Sequence, residues 1–174
     1  QFAGVLLDYA TDLAIDPVGN RLYWRESIAG NPLSSIISAD LNNVSLQSSW
    51  RQLIVNAGDG LAVDGELSQL YWGEDGTTGK IVRANLDGTG QVDFITGLTQ
   101  GDLVRDIVLD GPANEMYFVQ SANQIKRVSL VAPQNPEIIA TGNAASNGLI
   151  VDRLNNRIYW LERGAGISWA PLTP

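Results

Sequence analysis

Leu61-Ala62-Val63-Asp64, followed by Leu70-Tyr71-Trp72, is the clearest copy of a pattern that the chain carries four times. Each copy begins with an apolar triplet closed by an Asp, at Asp16, Asp64, Asp110 and Asp152. A Tyr comes seven residues after each Asp, and another aromatic residue follows each Tyr. Successive copies of the Asp are 48, 46 and 42 residues apart. The pattern is therefore an internal repeat, and a repeat of this length decides the fold.

Each repeat continues with further apolar segments. In the third segment an Ile is followed by Ala or Val and then by Leu, as in Ile81, Ala84 and Leu86. A fourth apolar segment follows in three of the four repeats. Short apolar segments separated by Gly, Asn, Asp and Pro are typical of β-strands. Four strands recurring every ~40–50 residues are typical of propeller blades. We therefore predict an all-β fold, a β-propeller of four four-stranded blades.

The same spacing predicts the organisation of the chain. We expect a single β-propeller domain over residues 1–174, with blades at approximately 12–56, 60–96, 105–141 and 148–174. The last repeat lacks a fourth strand, whereas the chain begins with a surplus apolar segment at 2–8. We expect this segment to complete the last blade and so to join it to the first. Two alternatives remain open: the blades are part of a larger ring, or the missing strand is exchanged between chains.

Composition excludes several classes of function. The 174 residues include no Cys and no His, so disulfides, Cys/His metal sites and catalysis through a His base are ruled out. The 11 Lys and Arg against 19 Asp and Glu give a net charge of −8, which argues against a nucleic-acid partner. No apolar run approaches the ~20 residues of a membrane span.

The repeats resemble YWTD repeats, the class B repeats of the low-density lipoprotein receptor family. The second repeat carries the resemblance most fully, through Gly60-Leu61-Ala62-Val63-Asp64, Leu70-Tyr71-Trp72 and Ala84-Asn85-Leu86-Asp87-Gly88. The chain departs from the family in having four repeats where six are usual, and in lacking the cysteine-rich modules. The Thr-Asp half of the signature is replaced by Arg25-Glu26, Gly73-Glu74, Val119-Gln120 and Leu161-Glu162. The resemblance implies a propeller in a secreted, extracellular protein with a non-enzymatic binding role.

One face of the predicted propeller is the candidate binding site. The connections from strand four to strand one and from strand two to strand three lie on the same face, where propellers commonly bind ligands. These connections are rich in acidic residues and contain a few arginines. The candidate binding residues are Asp12, Arg25, Glu26, Asp59, Glu74, Asp75, Asp102, Arg105 and Asp106.

Three functions fit these observations, in decreasing order of preference. The first is a non-catalytic extracellular module that binds a protein or glycan ligand. The second is a self-associating structural subunit of an extracellular assembly, a homo-oligomer formed through blade edges. The third is a calcium-dependent hydrolase or lactonase, whose base would have to be a carboxylate. We assign no catalytic residues and expect no cofactor, with calcium as the open alternative. Asn43-Val44-Ser45 is a candidate glycosylation site at Asn43.

Overall fold

The computed structural model describes residues 7–28, 34–44, 47–74, 79–98, 103–120, 123–133, 135–143 and 146–172. Blade one consists of β1 (Leu7–Asp16), β2 (Arg21–Ile28), β3 (Ser34–Asp40) and β4 (Arg51–Val55). Blade two consists of β5 (Leu61–Asp64), β6 (Gln69–Glu74), β7 (Lys80–Asn85) and β8 (Val92–Ile95). In both blades neighbouring strands pair antiparallel in chain order.

Blades three and four repeat this arrangement. Blade three consists of β9 (Val104–Asp110), β10 (Glu115–Gln120), β11 (Gln124–Ser129) and β12 (Glu137–Thr141). Blade four consists of β13 (Ser146–Asp152), β14 (Arg157–Glu162) and β15 (Gly166–Pro171), three strands within the described residues. Two short 3-10 turns lie at Gln47–Ser49 and Gly111–Ala113. The four blades confirm the predicted β-propeller.

The turn between the first and second strands recurs at the same position in every blade. The residue four positions after the repeated Asp has a positive φ, between 52° and 55°, at Asn20, Ser68, Asn114 and Asn156. Asn tolerates this left-handed conformation better than most residues, because its side chain bonds to the local backbone. The repeated Asp supports the turn as well: Asp16 Oδ1 accepts hydrogen bonds from the amides of Val18 and Gly19, both at 2.9 Å.

Each blade has two apolar faces because side chains alternate along its strands. In blade two, Ala62, Tyr71 and Ile81 point towards blade three and belong to its core cluster. Leu61 and Trp72 belong to the cluster shared with blade one. We call the side that meets the next blade in the chain the forward face, and the other the rear face. A blade buried on both faces explains why Leu70, Tyr71 and Trp72 are all nearly inaccessible in succession.

The first strands of the blades lie side by side around a central cavity. β1 contacts β5, β5 contacts β9 and β9 contacts β13. Residues of all four strands, including Leu13, Leu61, Ile107 and Leu149, line a cavity of about 450 Å³. Of the candidate binding residues, Asp12, Asp59 and Asp106 come just before the apolar triplets of the first strands of blades one, two and three.

The start of the chain differs from expectation. β1 begins at Leu7, which pairs with Ile28 of β2, so residue 7 belongs to blade one rather than to the outer edge of blade four. Residues 8–12, expected to be a connection, continue the same strand. β1 continues because β2 extends to Ile28, so its backbone groups on that side are available for pairing. β1 pairs with β2 along this whole length, with two β-bulges. Residues 2–6 lie outside the described residues, so their part in the fourth blade stays a prediction.

Candidate functional site

Four predicted residues meet where the central cavity opens: Asp12, Arg25, Asp59 and Asp106. We call this group the channel mouth. Asp12 is the extra residue of a β-bulge in β1, between Thr11 opposite Arg25 and Leu13 opposite Trp24, and has a φ of 47°. A bulge of this kind turns a side chain out of the regular alternation. Asp12 lines the cavity, and its Oδ2 accepts a hydrogen bond from the Gly60 amide of blade two at 3.2 Å.

Arg25 connects blade one to the segment that leads into blade two. Its Nη1 lies 2.8 Å from Asp59 Oδ1 and donates to Thr11 Oγ1 at 2.9 Å. Its Nη2 donates to Ser34 Oγ at 2.7 Å, and its Nε donates to the Ala57 carbonyl at 3.4 Å. The guanidinium is therefore fixed by the protein itself. Asp59 keeps 31% of its side-chain surface exposed, so one carboxylate of the pair can still meet a ligand.

Asp106 is the counterpart of Asp12 in blade three. One carboxylate oxygen accepts the Ile107 amide at 2.8 Å, and the other accepts the Leu149 amide of blade four at 2.5 Å. Asp12 and Asp106 thus each bind a backbone N–H of the following blade. Each carboxylate thereby connects two neighbouring blades by a hydrogen bond, and each also lines the cavity.

The electrostatics of the channel mouth raise the pKa of both of its cavity-lining carboxyl groups. Burial, followed by the charge of Asp106, raises the pKa of Asp12 to about 6. Burial also raises the pKa of Asp106, although hydrogen bonds from Leu149 and Ile107 oppose it. Two neighbouring carboxylates that are both largely buried are costly to ionise together. A positively charged or hydrogen-bond-donating group of a ligand would relieve this cost.

Other predicted residues lie apart from the channel mouth. Glu26 is buried, at 3% exposure; it accepts the Trp24 Nε1 hydrogen bond at 3.3 Å, and burial raises its pKa. Glu74 lies 3.2 Å from Lys80 Nζ, in a partly exposed ion pair. Arg105 is half-buried, and no described residue accepts a hydrogen bond from its Nε. Asp75 and Asp102 lie outside the described residues.

Glu26 and Arg25 were expected in a loop, but both lie on β2. The strand continues because β1 and β3 pair with it on both sides as far as Ser27. Glu26 accepts a hydrogen bond from the Trp two residues before it, and blade four has the same interaction: Trp160 Nε1 donates to Glu162 Oε1 at 2.9 Å. The same spacing in blade two, Trp72 and Glu74, gives an ion pair between Glu74 and Lys80, so the spacing alone does not predict the hydrogen bond.

Sequence reasoning missed the partners that hold Arg25, namely Thr11, Ser34 and the Ala57 carbonyl. Nothing in the repeat marks them, because they come from irregular parts of blade one and from the connection to blade two. The candidate glycosylation residue Asn43 is exposed in the turn after β3, while Ser45 of its triplet lies outside the described residues.

In the described part of the chain, no group of three or more Asp or Glu side chains is placed to hold a metal ion. The described segments also contain no helix long and apolar enough to cross a bilayer.

Comparison with known proteins identifies relatives of the repeat. The chain is 29% identical to nidogen of Drosophila melanogaster over 151 residues, which are 86% of this chain and 11% of nidogen. It is 27% identical to low-density lipoprotein receptor-related protein 1 of Pyricularia oryzae over 129 residues, 64% of this chain and 42% of that protein. The chain thus spans less than half the length of either relative. No protein-family model matches it.

Solved structures share the fold. Nidogen in its complex with laminin superposes with a TM-score of 0.78 and 16% identity, over 95% of this chain and 60% of that one. A gluconolactonase from Xanthomonas campestris superposes with a TM-score of 0.75 and 14% identity, over 98% of this chain and 59% of that one. These likenesses establish the fold alone. The repeated motif and the two relatives support a β-propeller of YWTD repeats.

Proposed function

We propose that this chain is a non-catalytic, extracellular protein-binding propeller that contacts its partner through the channel mouth. The relatives support the protein-binding part of this proposal: the nidogen propeller is solved in a complex with laminin. The same relatives support an extracellular location. The fold alone does not select this function, because propellers host many. The charged residues of the channel mouth are what favour protein binding in this chain.

The arrangement of charge indicates what kind of partner fits. Arg25 is held by Asp59, Thr11, Ser34 and a backbone carbonyl, so it is already neutralised within the protein. The carboxylates of Asp12 and Asp106 then leave an excess of negative charge at the cavity. The single observation that carries the proposal is this fixed acidic pair beside an exposed Asp59. A protein surface presenting Lys, Arg or backbone amide donors would be complementary to it.

Laminin is the first protein to test, as the partner of the solved relative. Immobilised laminin should bind the chain saturably, and Asp59→Lys should weaken binding at least about tenfold because it opposes like charges at the contact. The control is Leu154→Lys, which introduces a lysine at a residue that is 99% exposed in the turn before β14. Equal binding by Asp59→Lys and wild type would contradict the channel mouth as the contact surface. The absence of saturable binding would contradict laminin as a partner.

A lactonase is the second candidate, favoured by one observation. Asp12, with its pKa raised to about 6, lies beside Asp106 on a cavity of about 450 Å³, as a carboxylate base would require. Hydrolysis of gluconolactone with added calcium tests it directly. We expect no hydrolysis above the uncatalysed rate. Hydrolysis that Asp12→Asn abolishes while folding is retained would replace the binding function with this one.

A further inference from the structure

The forward face of blade four exposes four large apolar side chains. Ile150, Leu161, Ile167 and Trp169 are 66%, 52%, 71% and 52% exposed. Ile150, Leu161 and Ile167 line a shallow apolar groove together with Gly148. Trp169 lies outside the groove, and the Arg157 guanidinium carbon lies 4.0 Å from its ring centroid. Exposed apolar patches of this kind commonly mark interaction surfaces.

The rear face of blade one carries a second apolar groove. Leu13 and Ile15 are 71% and 55% exposed. Leu13, Leu22, Trp24 and Trp50 line a groove of about 420 Å³. Trp24 is covered on one side by Trp50, whose ring meets it edge-on at 4.9 Å. Within the described residues, no other blade packs on this face.

The two exposed faces are the two halves of one kind of interface. Every interior interface joins a forward face to the rear face of the next blade. On forward faces the third-strand Ile is fully buried at Ile36, Ile81 and Ile125, whereas its counterpart Ile167 is 71% exposed. On rear faces Leu61, Ile107 and Leu149 are 4–7% exposed, whereas their counterpart Leu13 is 71% exposed. Among the residues that the structure describes, blade four and blade one therefore each lack the partner face that the interior blades have.

A second pattern selects blade one as the partner of blade four. The residue before the first-strand triplet alternates along the chain, as Asp12, Gly60, Asp106 and Gly148. At the interface between blades two and three, a blade with Gly at this position packs against a blade with Asp there. A Cβ added to Gly60 would lie 3.1 Å from Ile107 Cγ1 and 3.3 Å from Val104 Cγ1, so the glycine permits this close packing.

The counterparts of these residues occur on the two exposed faces. Gly148, with a φ of 61°, corresponds to Gly60 and borders the groove of blade four. Leu13 and Ala10 correspond to Ile107 and Val104 and border the groove of blade one. Blade four, which has Gly before its triplet, and blade one, which has Asp there, thus expose the same two kinds of surface that pack together between blades two and three.

We infer that blade four of one molecule packs on blade one of a second copy, repeating the interface between blades two and three. Gly148 of one copy then lies against Leu13 and Ala10 of the other, and Ile167 becomes buried as Ile81 is. The contact is heterologous, because it joins two different surfaces, so it either closes a ring or extends head to tail. This self-association is independent of the channel-mouth partner proposed above.

Molar mass in solution, measured by light scattering between about 1 µM and 1 mM, tests the contact. The mass should rise above that of the monomer with concentration. Ile167→Asp and Leu13→Asp should each raise the apparent dissociation constant at least about tenfold, because each places a carboxylate in an apolar contact. Leu154→Asp is the control, since this residue lies in a turn and off both faces. A wild-type protein that stays monomeric throughout would overturn the inference.

Mixing the two variants distinguishes this contact from a symmetric one. Ile167→Asp retains an intact blade-one face, and Leu13→Asp retains an intact blade-four face. An equimolar mixture should form a one-to-one dimer that neither variant forms alone, and that does not grow further. A dimer formed by either variant alone would show that like faces pair, and would overturn the inference. Because both residues are largely exposed, neither change should impair folding, which circular dichroism verifies.

Discussion

Ile81 and Ile167 occupy the same position of the repeat and have opposite environments. Ile81 is inaccessible between blades two and three, while Ile167 is 71% exposed on the forward face of blade four. Their local structures are alike, since each lies near the start of a third strand next to the Tyr-containing second strand. What differs is that blade three packs on Ile81, whereas no described blade packs on Ile167. Burial in this fold is thus a property of the interface between repeats, and local sequence alone does not decide it.

Alanine substitution at these two positions should give the largest difference. Ile81→Ala removes apolar contacts from a filled core and should lower the free energy of unfolding by about 2–5 kcal/mol. Ile167→Ala should change it by less than about 0.5 kcal/mol, as is usual for exposed positions. Urea denaturation at a concentration where the protein is monomeric measures both. Equal losses would mean that Ile167 is covered in solution.

The two glycines provide a second matched pair. Gly60→Ala should destabilise by about 2–3 kcal/mol, from a strained positive φ and from contact with Ile107 and Val104 of the next blade. Gly148→Ala should cost about 1 kcal/mol, from its φ alone, because the nearest atoms belong to the exposed side chain of Leu161. Denaturation midpoints compare the two. A larger loss at Gly148 would contradict an open forward face on blade four.

The repeated Asp at the opposite end of the blades should give a smaller difference. Asp16→Ala removes the acceptor of two turn amides at a buried position and should cost about 1–2 kcal/mol. Asp152→Ala, in blade four, should cost less, because Asp152 accepts from Asn155 in an exposed turn. Thermal melts of both variants against wild type provide the measurement, and an equal drop in Tm would argue that the turn alone accounts for the effect.

A pH dependence is expected from the interior carboxylate Asp12. Burial raises its pKa to about 6, so the folded protein retains a proton that an unfolded Asp releases near pH ~4. The contribution of this group therefore favours folding most below about pH 4 and is lost as the pH rises to about 6. Asp12→Asn keeps an oxygen for the Gly60 amide and should flatten stability across this window. Urea midpoints at both ends of the window test it, and an unchanged slope would assign the pH dependence to another group.

The sequence predicted the fold and part of the site. The repeat located the blades, and the residue types before each first strand indicated Asp12, Asp59 and Asp106, which do meet near the cavity. Glu26 was predicted to face a ligand but bonds to Trp24, because β2 extends beyond its repeated core. The bulge that turns Asp12 towards the cavity, and the partners that fix Arg25, arise from irregular pairing that no repeat encodes.

By itself the sequence determined four blades and two apolar faces on each, because alternating apolar residues at a fixed period can be buried only between stacked sheets. It also determined the turns, through Asp, Asn and Gly at recurring positions. Only the tertiary structure decided which faces are covered. Ile36, Ile81, Ile125 and Ile167 are the same residue at the same position, and exposure separates the last from the others because burial depends on the neighbour in space.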